Sequence, residues 1–243
     1  MKYGVMEGVL RGTREEIFSD AVKLGFDGVE LWNINEDAVA ELKQLSQKTG
    51  VAVASVVCGP QGLASPDAEA RKAAKDVLTG VIKRCESVGA GVILVPFFGM
   101  RNLENEEAVL YAVKAFKECA KAAAPSKVTL ALEMAMNAPD SLDLVKRIGS
   151  EYVKIYYDVG NATAAGYDVV EEIRLLAGQI AQIHIKDAGG QALGEGKVPM
   201  KAACEAIKEI GFDGYLVLET PATDNPPQAA EKNLAYLKQC IEI

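Results

Sequence analysis

The chain has few of the residues on which several classes of protein depend. Only one of its 243 residues is histidine, and its 26 lysines and arginines are outnumbered by 34 aspartates and glutamates. The resulting net charge of −8 argues against binding to nucleic acid or to an anionic membrane, because such binders usually carry a basic patch. The five cysteines are odd in number and scattered, with no C-x-x-C pair. This usage argues against a disulfide framework or a zinc knuckle and is typical of a reducing compartment.

Long apolar runs are also missing. No stretch approaches the roughly 18 apolar residues that a membrane-spanning helix requires. The N-terminal segment lacks the apolar core of a signal peptide. We therefore expect a cytoplasmic protein without a membrane partner.

What the sequence does contain is a repeated alternation of short β-rich runs and helical patterns, which is typical of βαβ units and parallel strands. Eight strands are predicted, followed by a final helix over Gln228–Ile243. The predicted strands are Tyr3–Glu7, Gly28–Trp32, Val51–Cys58, Val92–Phe97, Val128–Met134, Val153–Val159, Ile180–Lys186 and Tyr215–Thr220. Seven helical segments lie between them, and no linker divides the chain.

A single (β/α)8 TIM barrel over residues 1–243 is the predicted fold, because such barrels need about 250 residues. A doubly wound open sheet is the rival, but no G-x-G-x-x-G follows the first strand.

Helix starts can also be predicted from capping residues. Thr13 and Glu16 have the spacing of a capping box, in which each side chain satisfies a free backbone N–H group. Ser65 and Asn225 each precede a proline, which predicts a helix that begins at that proline.

Polar residues end the last four predicted strands, where the active site of such a barrel lies. Side chains alternate between the two faces of a strand. Leu130 and Leu132 suit the face beneath the helices, so Glu133 is expected to point into the barrel mouth. The same alternation directs three further side chains inward. The predicted inward set is Glu133, Asp158, His184 and Glu219.

These four residue types together favour a metal site. Any one of them alone has an ordinary structural explanation, such as a hydrogen-bonded core histidine or a carboxylate that caps a helix. Without a bound cation, carboxylates that converge beside an imidazole at a buried site would repel one another and lose solvation. The cluster predicts one divalent ion, with Mn²⁺, Mg²⁺, Co²⁺ and Zn²⁺ all compatible with these ligands.

Several short segments carry a family resemblance. They are D-G-V-E-L (27–31), A-L-E (131–133), Y-D-V-G-N (157–161), I-H-I-K-D (183–187) and V-L-E-T (217–220). The set resembles the xylose-isomerase-like TIM-barrel superfamily, and within it the sugar phosphate isomerase/epimerase group that includes the ketose 3-epimerases. The resemblance covers the whole chain and is strongest over 128–221.

This resemblance implies a chemistry for the four residues. It implies that Glu133, Asp158, His184 and Glu219 hold the metal, and that Glu133 and Glu219 also act as the catalytic acid and base on either face of the sugar. The reaction would move a proton next to a carbonyl group through an enediolate. The implied partner is a small sugar or sugar phosphate, and homo-oligomers are expected by family analogy.

Two positions depart from the epimerase pattern. Asn161 stands where the epimerases carry a histidine, and Gly190 stands where they carry an arginine. These departures leave open a dehydratase or lyase that acts on a keto-sugar or inosose at the same site. A hydroxypyruvate isomerase-like activity and a non-catalytic carbohydrate-binding barrel are further alternatives.

Other residues are candidates for contact with the substrate. They are Asn161, Lys186, Glu7, Trp32 and Lys197. The G-x-G loop over 194–196 resembles one that could bind a phosphate through backbone N–H groups. Glu30 is expected either to line the floor of the pocket or to satisfy buried polar groups, with the second role favoured. Asp187 is expected to form a cap or a salt bridge.

Overall fold

The fold is a closed barrel of parallel strands, seen here in a computed structural model that describes residues 1–100, 102–221 and 223–242. In that part of the chain eight strands pair in sequential order, and β8 closes the barrel against β1. The strands are β1 Lys2–Met6, β2 Gly28–Leu31, β3 Ala52–Val57, β4 Val92–Phe97, β5 Thr129–Met134, β6 Val153–Asp158, β7 Ile180–Ile185 and β8 Tyr215–Leu218. The predicted (β/α)8 fold is confirmed.

Helices surround this barrel. They are α1 Glu7–Leu10, α2 Arg14–Leu24, α3 Ala38–Thr49, α4 Ala68–Val88, α5 Glu106–Ala123, α6 Ala138–Ile148, α7 Val159–Ala164, α8 Val169–Leu176, α9 Met200–Glu209 and α10 Pro226–Glu242. Two helices follow β1 and two follow β6, where the sequence pattern predicted one helix in each place. None of the helices in the described ranges is both long and apolar enough to span a membrane.

The strand ends differ from the prediction mainly at the barrel mouth. β4 has the predicted bounds and β5 has the predicted end, whereas β1, β2, β3, β6, β7 and β8 each end before the predicted last residue. Glu7 begins α1, and Val159 begins α7 because the Asp158 side chain caps that helix by accepting a hydrogen bond from the Asn161 N–H group. The polar residues that mark the strand ends in sequence therefore belong partly to helix starts and loops. The final helix begins at Pro226, and Ile243 of the predicted range lies outside the described residues.

The capping predictions have mixed outcomes. The box at Thr13 and Glu16 is present, and α10 begins at the proline after Asn225. The helix predicted to start after Ser65 begins instead at Ala68, with Asp67 as its cap. A carboxylate next to the positive end of the helix is a stronger acceptor than the serine hydroxyl two residues earlier.

The side chains of the strands form two separate packing layers. Leu130 and Leu132 belong to the main core between the barrel and the helices. Leu94, Ala131 and Tyr156 form a smaller apolar cluster in the barrel interior. The predicted alternation in β5 is thus confirmed, and it directs Glu133 inward on the same face as Ala131.

Phe116 provides a test of the outer core. Its ring is fully buried on α5 and meets the ring of Phe97 edge-on at a centroid distance of 5.3 Å. We expect Phe116→Ala to lower the free energy of unfolding in urea by about 3–5 kcal/mol, because it leaves a cavity. Leu110→Ala on the exposed side of the same helix is the control and should change it by less than about 0.5 kcal/mol. Equal losses in both variants would contradict this packing.

Candidate functional site

Four side chains meet at the C-terminal ends of β5 to β8. Glu133 and His184 are the second-last residues of their strands, Asp158 ends β6, and Glu219 directly follows β8. From His184 Nδ1 the distances are 3.2 Å to Glu219 Oε2, 3.7 Å to Asp158 Oδ2 and 4.0 Å to Glu133 Oε1. Donor atoms of Glu133, Asp158 and His184 all lie within 4.8 Å of one another. The structure therefore brings together the four residues that the sequence singled out.

Two buried atoms in this cluster lack a hydrogen-bond partner. They are His184 Nδ1 and Asp158 Oδ2. Lys186 Nζ lies 2.7 Å from Asp158 Oδ2, but without the alignment of a hydrogen bond. Leaving such atoms unsatisfied costs about 1–3 kcal/mol each. Nitrogen and oxygen donors with free lone pairs that converge on one point fit a divalent cation.

The charges of the site also fit a cation. Burial raises the pKa of Glu133 to about 8, and the nearby carboxylates of Asp158 and Glu219 add to that rise. Burial opposes ionisation of Asp158 and Glu219 as well, but His184 and Lys186 outweigh it and lower both pKa values. Burial likewise disfavours the charged imidazole, yet the surrounding carboxylates raise the pKa of His184 well above its usual value. The raised pKa values of Glu133 and His184 both reflect the excess of carboxylates over positive groups in the cluster.

Lys186 contributes the ammonium group nearest to the cluster. Its Nζ donates a hydrogen bond of 2.7 Å to Glu219 Oε2. The lysine stem crosses over Gly160, where a Cβ atom would lie only 2.6 Å from Lys186 Cγ. The glycine of the Y-D-V-G-N segment therefore makes room for Lys186 beside the carboxylates.

A cavity of about 370 Å³ opens beside Glu219, a size within the range of small-molecule sites. Trp32, Asn161, Lys186 and Glu219 are among its lining residues. Asn161 Nδ2 donates a hydrogen bond of 2.9 Å to Glu133 Oε1, so this side chain links the cavity wall to the cluster. Trp32 is half exposed and offers its indole to a ligand in the cavity.

Two of the five candidates for substrate contact lie elsewhere. Glu7 Oε1 accepts a hydrogen bond of 2.6 Å from the Trp32 backbone N–H group, which joins the ends of β1 and β2. Lys197 is exposed on the loop after β7 and does not line this cavity. In the structure, Glu7 therefore supports Trp32, and Lys197 is a solvated lysine.

Asp187 organises the loop that follows β7. Its carboxylate accepts hydrogen bonds from the backbone N–H groups of Ala188, Gly194, Gly196 and Val198 at 2.9–3.1 Å. A Cβ atom on Gly196 would collide with Asp187, so glycine is required at that position. The N–H groups of Gly194 and Gly196 in the G-x-G loop are therefore already bound to Asp187 and are not free to bind a phosphate.

Sequence reasoning gave Glu30 only a general role. The structure places its fully buried carboxylate beneath the site, 2.7 Å from His184 Nε2. The signal in the sequence was a charged residue in the middle of the short strand β2. Its partner could not be identified, because β2 and β7 are far apart in the chain.

The cysteines take no part in this site. All five are free and buried. Burial raises the pKa of Cys58 to about 11 and those of Cys85, Cys119 and Cys204 to about 12. Thiols of this kind are poor nucleophiles, because the thiolate is the reactive form.

Comparisons with known proteins give a consistent result. The family model described as "Xylose isomerase-like TIM barrel" matches residues 18–240. The chain is 26% identical to D-psicose 3-epimerase of Ruminiclostridium cellulolyticum over 219 residues, which cover 81% of this chain and 74% of that protein. It is 27% identical to L-ribulose-5-phosphate 3-epimerase UlaE of Escherichia coli over 239 residues, which cover 87% and 83%. A solved structure of D-psicose 3-epimerase with D-tagatose from Clostridium cellulolyticum H10 superimposes with a TM-score of 0.89 at 22% identity over the whole of both chains.

Thiol reactivity tests the burial of the cysteines. At pH 8 a group with a pKa of about 11 is thiolate in roughly one molecule in a thousand. We expect the folded protein to react very slowly with a disulfide reagent such as DTNB, and the unfolded protein to release five equivalents at once. A fast-reacting thiol in the folded protein would show that a cysteine is more accessible than described.

Proposed function

The chain belongs to the xylose isomerase-like TIM barrel family, and from this membership we propose that it is a metal-dependent sugar isomerase or epimerase. The reaction moves a proton at a carbon next to the carbonyl group of a ketose or ketose phosphate. The observation that carries the proposal is the position of Glu133 and Glu219. They come from strands on either side of the pair β6 and β7 and converge on His184 between them.

Two carboxylates on either side of His184 suit proton transfer on both faces of a sugar. One glutamate removes the proton next to the carbonyl, and the other delivers a proton from the opposite face. Epimerisation needs both groups, whereas a shift of the carbonyl between neighbouring carbons can use one. The hydrogen bond from Asn161 Nδ2 holds Glu133 at a fixed place in the wall.

The unpartnered donor atoms support a single divalent ion in this site, with Mn²⁺, Mg²⁺, Co²⁺ and Zn²⁺ all compatible. Glu133, Asp158, His184 and Glu219 would hold it. When bound, such an ion supplies Lewis-acid stabilisation of the negative charge that develops in an enediolate. The ammonium of Lys186 adds a second positive charge at the same wall.

The cavity supports a small-molecule substrate. Trp32 provides an apolar surface for one face of a sugar, while Asn161 and Lys186 provide donors for its oxygen atoms. Glu7 contributes through the position of Trp32, and Lys197 could meet only a substrate that extends onto the loop after β7. By analogy with the family we also propose a homo-oligomer that works in the cytoplasm. The two curated relatives named above are both ketose 3-epimerases, which favours epimerisation at C3.

A dehydratase or lyase that uses the same proton abstraction is the second candidate. Two residues favour it. Asn161 carries no charge where the epimerases have a histidine, and Gly190 has no side chain where they have an arginine. Gly190 adopts a φ of 79°, a left-handed conformation that disfavours an arginine in this loop. Such an enzyme would form the same enediolate and then expel a leaving group.

Deuterium uptake from D2O tests the proposal directly. We expect the Mn²⁺-loaded protein to place deuterium on a ketose or ketose phosphate, at C3 for an epimerase and at C1 or C2 for an isomerase. Glu133→Gln and Glu219→Gln should each slow the label by about a hundredfold or more, because each loses a proton-transfer group. NMR spectroscopy of a substrate panel measures both the position and the rate of labelling.

Glu172→Gln is the matched control for these variants. Glu172 is a buried glutamate that accepts hydrogen bonds from the Tyr157 hydroxyl and the Ala138 N–H group, away from the four residues. Its variant should label at the original rate. Product formation with loss of water or of an alcohol would favour the dehydratase or lyase. No label and no product, with Mn²⁺ demonstrably bound, would contradict both enzymes.

A further inference from the structure

A second cluster of polar side chains lies in the barrel interior, directly beneath the four residues. At its centre is the carboxylate of Glu30 from β2, which is fully buried. Its Oε2 accepts hydrogen bonds from the Ser55 hydroxyl at 2.5 Å and the Tyr156 hydroxyl at 2.7 Å. Its Oε1 lies 2.7 Å from His184 Nε2. Three strands thus direct their side chains at one carboxylate.

The chemistry of these groups fixes the direction of each hydrogen bond. Oε2 of Glu30 accepts from both hydroxyls, and Oε1 is left to accept from the imidazole nitrogen. His184 Nε2 therefore carries a hydrogen. In the neutral imidazole that binds a metal, the lone pair at Nδ1 is then left for the opposite side of the ring, where Glu133, Asp158 and Glu219 converge.

The ring of Tyr156 adds a steric constraint. Its centroid lies 4.5 Å from that of the His184 imidazole, at an interplanar angle of 57°. The same tyrosine donates its hydroxyl to Glu30, so the position of the aromatic ring and that of the carboxylate are coupled. An imidazole held at Nε2 and packed on one face cannot turn its Nδ1 away from the site.

We propose that Glu30 is a positioning residue that holds His184 with Nδ1 directed at the metal site and makes that nitrogen a stronger ligand. The inference rests on the proposed function, because it concerns the metal of the same site. Carboxylates that accept a hydrogen bond from a ligating histidine fix its tautomer and raise its basicity, and their loss typically costs about 10–100-fold in metal affinity. In this role Glu30 acts through His184 and does not need to contact the substrate.

Metal affinity separates this role from a purely structural one. Glu30→Gln preserves the size of the side chain and an acceptor for the Nε2 hydrogen, but it removes the negative charge. We expect the dissociation constant for Mn²⁺, measured from the EPR signal of free Mn²⁺, to rise about 10–100-fold in this variant. Glu172→Gln removes the charge of another buried glutamate that contacts a tyrosine hydroxyl, and it should change the constant by less than about twofold.

Ser55→Ala distinguishes the charge from the hydrogen-bond network. Ser55 donates to Glu30 and accepts a hydrogen bond from Gln182 Nε2 at 3.2 Å, so its loss disturbs the same cluster but keeps the carboxylate charged. Its effect on Mn²⁺ affinity should be much smaller than that of Glu30→Gln. An equal effect of both variants would overturn the proposal, because general disruption of the cluster would then explain the loss.

The single histidine provides a measurement that needs no variant. With ¹⁵N-labelled histidine, the spectrum of the Zn²⁺-loaded protein contains the imidazole nitrogens of His184 alone, and Zn²⁺ is used because Mn²⁺ would broaden them. We expect a hydrogen on Nε2 that exchanges slowly with water, and a shift of Nδ1 when Zn²⁺ binds. A shift at Nε2, with the hydrogen on Nδ1, would overturn the proposal even if Glu30→Gln fails to fold.

The outcomes also separate this inference from the proposed function. If the unsubstituted protein binds Mn²⁺ and Glu30→Gln binds it equally well, only the role of Glu30 is overturned. If the unsubstituted protein binds no Mn²⁺, the metal site of the proposed function fails, and the role of Glu30 fails with it. A rise in the dissociation constant confined to Glu30→Gln supports both.

Discussion

The imidazole of His184 is the group on which the rest of the site depends. One of its nitrogens contacts Glu30 inside the barrel, and the other faces three carboxylates at the barrel mouth. An apolar side chain at this position would leave three buried carboxylates and the partly buried Glu219 without the partner that lies between them. The closed barrel makes the arrangement possible, because it surrounds one residue of β7 with side chains from β2, β5, β6 and β8.

Local structure around the barrel mouth then determines the distances between the side chains of the site. Asp158 pairs with His184 in the register of β6 and β7, and it also caps α7. That cap fixes one carboxylate oxygen and leaves the other beside His184 Nδ1 and the ammonium of Lys186. Gly160 lets Lys186 reach the carboxylates, and Asp187 shapes the loop that follows. Backbone geometry and charge near the ends of β6 and β7 thus together determine where the side chains of Asp158 and Lys186 lie.

Much of this arrangement could be predicted from the sequence. Alternation in strands such as Leu130-Ala131-Leu132-Glu133 indicates which side chains face inward, because a pleated strand has a period of two. Contacts between distant segments could not be predicted in this way. Glu30 and His184, which contact each other, are 154 residues apart in the chain. The hydrogen bonds from the loop N–H groups to Asp187 depend on a loop conformation that the local sequence does not specify. The extra helix after β6 was missed because Asp158 resembles a strand residue until its capping role is seen.

We propose that Glu133, Asp158, His184 and Glu219 hold one divalent ion for proton transfer on a sugar. Anomalous X-ray diffraction from crystals grown with Mn²⁺ tests it most directly, because the signal at the manganese edge locates the ion without assumptions about its ligands. We expect one strong peak in contact with His184 Nδ1 and with oxygens of the three carboxylates. A peak bound by other residues, or no peak between these four side chains, would contradict it.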